Sequence, residues 1–176
     1  MTDFNLDNFV EQLRTLARGN EARTDVRAFM RDTFQQPEAI RAAMPAYEND
    51  DEVLFEDDTV SIWFVRFAPG IHVPPHDHQT TAIIGVYEGA EDNHFYQRES
   101  DRLVHKSSKR VEPGDVIALK PDGIHSVEAA EVEPCCGIHV YLAALTTIER
   151  SLFDWETGAA CRYTDENYEI MKRVTV

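Results

Sequence analysis

The chain has 176 residues, 43% of them hydrophobic and 28% charged, which is the size and balance of one globular domain. With 17 basic against 32 acidic residues the formal charge is -15, which argues against nucleic-acid and anionic-membrane partners, since both need clustered Lys and Arg. No apolar run approaches the ~18 residues of a membrane helix, and Met1-Thr2-Asp3-Phe4-Asn5 lacks the features of a signal peptide, so the expected setting is cytoplasmic.

Leu6, Phe9, Val10, Leu13, Leu16 and Ala17 recur at helical spacing and Gly19-Asn20 supplies a stop. A second helix carries Val26, Phe29, Met30 and Phe34 on one stripe, and Pro37 opens a third that runs to about Met44. Residues 1–46 thus read as a helical N-terminal extension. The acidic runs Glu48–Glu52 and Glu56-Asp57-Asp58 read as solvated loop. From about Val53 the texture is that of strands. Thr59–Phe67 alternates, with Val60, Ile62, Phe64 and Arg66 on one face and Ser61, Trp63, Val65 and Phe67 on the other, where Trp63 and Phe67 read as ordinary core, with pocket lining as the alternative. Further strands are expected at Ile71–Val73, Thr81–Tyr87, Asn93–Gln97, Leu103–Lys106, Asp115–Leu119, Ile124–Glu128 and Gly137–Ala143, separated by turns at Pro69-Gly70, Glu88-Gly89, Pro113-Gly114 and Asp122-Gly123. Many short strands at this spacing predict an all-β barrel or sandwich over 53–145, with 146–176 packing on one end as a tail, all in one domain, 1–176. The three cysteines, Cys135, Cys136 and Cys161, have no framework spacing and are expected to be free thiols.

Of the seven histidines, His76 and His78 lie in Pro74-Pro75-His76-Asp77-His78. In an extended segment residues i and i+2 point to one side, so both rings face one point while Asp77 faces away. A His-X-His pair alone is a weak metal signal, and hydrogen-bonded core histidines are the bland alternative. His125 strengthens the signal, because the strand–turn–strand of Gly114–His125 returns it beside the pair. His72, His94 and His105 have no partner at metal spacing and read as structural or surface residues.

Gly70–His78 followed by Gly89 resembles the first motif of cupins, and Gly114–His125 a shortened variant of the second. The resemblance covers about residues 55–145 and implies a mainly β fold, a double-stranded β-helix (jelly-roll) barrel with a metal in its mouth, preceded here by α-helices. Where many cupins carry a ligating Glu this chain has Ala82, leaving three neutral imidazoles, His76, His78 and His125. Together with Ile84–Gly89 and Ile138-His139-Val140-Tyr141, this pattern is similar to the cysteine dioxygenase and thiol dioxygenase group, in particular to bacterial members resembling 3-mercaptopropionate dioxygenase. That group carries a Ser-X-His-X-Tyr triad beside its iron; His139 and Tyr141 match, and Gly137 takes the serine position. The arginine with which animal-type members hold the substrate carboxylate has no counterpart in Asp50–Asp58, and Arg66 points away in the family register.

The resemblance implies Fe(II) held by His76, His78 and His125, Tyr141 donating to substrate or oxygen, and His139 orienting Tyr141. A site without anionic protein ligands favours an anionic donor from the substrate, and a thiolate fits, giving a sulfinic acid with O2. The partners are then a small-molecule thiol and O2, with the protein a monomer or homodimer. Two other readings stay open: a three-His cupin acting on a chelating non-thiol such as a β-diketone, and a non-oxygenase cupin that binds zinc or another metal.

Overall fold

The computed structural model describes residues 4–175. Three helices come first: α1 (Leu6–Ala17), capped by Asn5, whose side chain accepts from the Asn8 N–H; α2 (Ala22–Thr33); and α3 (Pro37–Ala43), with proline in its first turn. All three match the helical stripes of the sequence. Their apolar faces meet one another and then a sheet.

That sheet has five strands in the order β1-β2-β9-β4-β7: β1 (Asp51–Glu56), β2 (Ser61–Phe67), β4 (Ala82–Glu88), β7 (Val116–Leu119) and β9 (Cys135–Tyr141). The second sheet contains β3 (Ile71–His76), β5 (Glu91–Glu99), β6 (Arg102–Val111), β8 (Ile124–Ala129), β10 (Ser151–Phe153) and β11 (Ala160–Arg162), ordered β11-β10-β3-β8-β5-β6, with β12 (Arg173–Val174) also pairing β3. Neighbouring strands are antiparallel throughout. The outer face of the first sheet buries Ile62, Phe64, Ile83, Ile138 and Val140 against Phe9, Leu13, Val26, Met30 and Phe34 of the helical layer. Its inner face, with Ala82, Ile84, Val86 and Tyr141, turns towards the second sheet. Because both faces are covered, β4 is apolar almost throughout instead of alternating. Gly85 permits the closest approach of the layers: a Cβ there would lie 2.5 Å from the Phe34 ring.

Three expectations need correction. Of the acidic runs read as loop, Asp51, Glu52 and Glu56 belong to β1, an edge strand whose ladder bonds run only to β2, while Glu48–Asp50 and Asp57-Asp58 lie in the loops that flank it. The strand expected at Ile71–Val73 continues through Pro74-Pro75 to His76, with an irregularity between Val73 and His76 that accommodates two residues without N–H groups. The strand expected at Leu103–Lys106 extends to Val111, pairing all along β5. The tail is also more ordered than its pattern suggested: a 3-10 turn (Leu145–Thr147), β10, β11, α4 (Asp165–Met171, capped by Thr164) and β12 follow one another. All three cysteines are free. Among the described residues no helix is long and apolar enough to cross a membrane.

Candidate metal centre

His76 ends β3 and His125 lies opposite it on β8, paired in register. His78 follows in a loop that reverses at Gln79, whose φ of 53° is in the left-handed region and costs on the order of 1 kcal/mol for a non-glycine residue. That turn is held by the Gln79 N–H donating to the Pro121 carbonyl and by the Gln79 amide donating to Asp77. Asp77 faces away from the two imidazoles and binds the tail: the Ser151 N–H donates to its carboxylate at 2.9 Å, and its own N–H donates to the Ser151 carbonyl at 3.2 Å.

The three imidazoles converge, each offering a nitrogen within 4.8 Å of the others. His78 Nε2 and His125 Nε2 are 3.1 Å apart. Two nitrogens bound side by side to one ion at 2.0–2.2 Å would be separated by about 3.0–3.4 Å, so the donor set fits a divalent metal. The outward nitrogens of two rings are fixed by hydrogen bonds: His76 Nδ1–H donates to the Pro74 carbonyl at 2.8 Å and His125 Nδ1–H to Asn93 Oδ1 at 2.9 Å. Both leave Nε2 bare. His78 Nδ1 is buried without a partner. Burial holds His76 down to about 4 and His78 and His125 well below the ordinary histidine value, so all three are neutral as ligation requires.

The trio opens into a cavity of about 630 Å³ whose lining also includes Trp63, Phe67, Glu91, His139, Tyr141 and Arg150. Trp63 and Phe67 pack against the inner core cluster and also form the cavity wall, so both readings of them from sequence hold. His139 Nδ1 and the Tyr141 hydroxyl are 3.3 Å apart, as residues two apart on one strand face allow. Burial keeps His139 neutral, lowering it to about 3, and pushes the Tyr141 hydroxyl up, so tyrosine keeps its proton.

Arg150 and Glu91 had no sequence signal. Arg150 sits in the tail just before the Asp77–Ser151 clamp, with its guanidinium 4.2 Å over the Tyr163 ring. Among the described residues no carboxylate lies within 4.0 Å of it, whereas nearby Arg162 pairs with Glu149. Its charge helps depress His76 and His78. Glu91 is 1% exposed and touches one polar side chain, the Asn93 amide, which donates to it at 2.9 Å. Burial raises its carboxyl to about 7, and the Asn93 bond opposes that only in part. An unfolded-chain glutamate ionises near 4.5, so metal-free protein loses stability as pH rises from about 4.5 to about 7. Glu91→Gln removes that loss: urea melts of metal-free protein should show the variant ahead by about 3 kcal/mol at pH 8 and level with wild type at pH 4. A difference that does not vary with pH would contradict this.

The remaining histidines lie elsewhere. His94 donates to one oxygen of Glu128 at 3.1 Å, His72 Nδ1 lies 2.6 Å from the other, and His105 Nε2 lies 2.8 Å from the Ser108 hydroxyl.

A family model described as the AraC-like ligand binding domain matches residues 66–160. Among solved structures, a protein with a double-stranded beta-helix domain from Klebsiella pneumoniae is 16% identical over 64% of this chain and 87% of that one, with a TM-score of 0.50. A cupin-like protein from Thermotoga maritima is 22% identical over 69% of this chain and 82% of its own, with a TM-score of 0.45. Oxalate decarboxylase from Bacillus subtilis is 18% identical over 49% of this chain, which spans 22% of the decarboxylase, with a TM-score of 0.42. The Klebsiella likeness bears on the fold, a double-stranded β-helix.

Proposed function

The chain belongs to the family of AraC-like ligand binding domains, within the cupin superfamily, and we propose that its three-histidine chamber is the active site of an Fe(II)-dependent thiol dioxygenase converting a small thiol carboxylate and O2 to a sulfinic acid. The observation that carries the reading is the convergence of three neutral imidazoles, His76, His78 and His125, at the foot of a cavity shared with Tyr141, His139 and Arg150.

No protein carboxylate belongs to the ligand trio, so the charge of a divalent ion there is left for the substrate to balance, which a thiolate does at short range. When bound, iron supplies the means of activating O2 next to a sulfur donor. The rest falls to the chain. Tyr141 keeps its proton; in the tautomer of His139 that carries its hydrogen on Nδ1, that N–H donates to the phenolic oxygen and leaves the hydroxyl hydrogen free to donate into the chamber. Arg150 offers an unpaired cation to the far end of the substrate, which selects a carboxylate of the cysteine or 3-mercaptopropionate type. The apolar wall of Trp63, Phe67, Ile84 and Val127 keeps water from competing with those contacts.

An oxygen-electrode screen of iron-loaded protein tests this. Cysteine or 3-mercaptopropionate should drive O2 uptake with one sulfinate formed per O2, and cysteamine, which has nothing for Arg150 to bind, should be much slower. No uptake with any thiol sinks the proposal. In the same assay Tyr141→Phe should retain full iron content and lose roughly a hundredfold in turnover; unchanged turnover removes Tyr141 from the mechanism.

A further inference from the structure

We infer that Glu91, two groups removed from the candidate metal centre, is a positioning residue that selects the tautomer of His125 through Asn93. The inference rests on the reading of His76, His78 and His125 as ligands. It starts from β5, where Glu91, Asn93 and Phe95 share the face turned into the barrel while Asp92 and His94 point out to Arg110 and Glu128. Asn93 is fully buried, and its two ends are spoken for: Oδ1 lies 2.9 Å from His125 Nδ1 and Nδ2 lies 2.9 Å from Glu91 Oε1. Phe95 stacks on the same imidazole at 6.1 Å between centroids, holding its plane.

The two ends of an asparagine amide have nearly the same shape, so packing alone does not decide which faces the histidine. Donor and acceptor rules do. A carboxylate only accepts, so it takes the Asn93 NH2 group. That turns Oδ1 to His125. Oδ1 also only accepts, so the single N–H of neutral His125 must be on Nδ1. The Nε2 lone pair is then the one directed at His76 and His78. Take the carboxylate away and nothing distinguishes the two amide ends. The flipped amide would donate to Nδ1 and leave the hydrogen on Nε2, where it blocks ligation.

A buried carboxylate with no cation to pair with is unfavourable, and burial and the Asn93 bond are what set the environment of Glu91. A space-filling role would be met as well by glutamine, which has the same volume. Glutamine offers both a donor and an acceptor, however, and so does not choose an orientation for Asn93.

The test compares wild type, Glu91→Gln and the double variant Glu91→Gln/Asn93→Asp, which moves the carboxylate directly onto His125. Two readouts are taken at pH 8: Co2+ affinity, followed by absorption under anaerobic conditions, and the protonation of each His125 nitrogen in metal-free protein, from long-range 1H–15N NMR correlations. Wild type should show Nδ1–H only. Glu91→Gln should show a mixture of tautomers and about tenfold or weaker Co2+ binding, with an intact circular dichroism spectrum. The double variant should recover both. Glu91→Gln with the tautomer and the affinity of wild type overturns the inference, as does a double variant that recovers neither. Failure of wild type to bind Co2+ would instead defeat the metal-centre reading, and the NMR result would still decide whether Glu91 sets the tautomer.

Discussion

Replacing His78 by alanine should reduce bound iron from about one equivalent per chain to less than about a tenth, the largest functional effect expected of any single change. His78 reaches the centre from the loop reversed at Gln79, and its Nε2 lies 3.1 Å from that of His125. With it gone, two imidazoles remain, and neither carries charge to compensate for the lost bond. The other side of the ring donates to nothing, since Nδ1 is buried without a partner, so no second hydrogen bond is lost with it. The metal-free variant should therefore melt close to metal-free wild type, apart from the cavity left by the ring. A ligand at a hundred times its dissociation constant stabilises the form that binds it by about 2.7 kcal/mol. Added Fe(II) should thus raise the melting temperature of wild type by roughly 5–10 °C and leave His78→Ala unmoved. Metal content by mass spectrometry together with paired melts checks both parts. One equivalent of iron in His78→Ala would mean that the trio is not the binding site.

Gly137→Ser should damage the protein, although it would complete the Ser-X-His-X-Tyr pattern that His139 and Tyr141 begin. Gly137 lies in the middle of β9, between Val65 of β2 and Val86 of β4. A Cβ there would stand 2.7 Å from the carbonyl oxygen of Gly85, a backbone atom in a central strand. The strand pair would have to part, and Gly85 is itself pressed against the Phe34 ring, so movement on that side meets the helical layer. Overpacking of this kind costs about 3 kcal/mol, or roughly 10 °C in melting temperature for a chain of this size. Thermal melts and refolding yield read the effect directly; a variant as stable as wild type would show that the strands can separate cheaply. Glycine at 137 is thus required by the spacing of β9 and β4, which explains the departure from the triad.

The sequence legible without coordinates was the part written in short-range patterns. Helical stripes placed the three helices, because an amphipathic helix must repeat its apolar residues with its own period. The two-residue period and the turn dipeptides placed most of the strands. His76 and His78 showed themselves because i and i+2 share a side in extended chain, and His125 because a tight turn brings a strand back beside its neighbour. The acidic ends of β1, Asp51-Glu52 and Glu56, stayed hidden, since an edge strand takes half its support from a partner's backbone and allows charged side chains that otherwise mark a loop. The candidate His76, His78 and His125 trio was thus set by local spacing and one turn, whereas the His139–Tyr141 pair was legible only through the resemblance of Ile138–Tyr141 to the thiol dioxygenase pattern. Tertiary structure alone decided what surrounds them. Arg150 reaches the chamber because Asp77 clamps Ser151, a contact spanning 74 residues, and Glu91 turns inward because of its register on β5. No local period records such contacts: they arise when distant segments bury one another's polar groups, and their energy depends on the partner that folding brings.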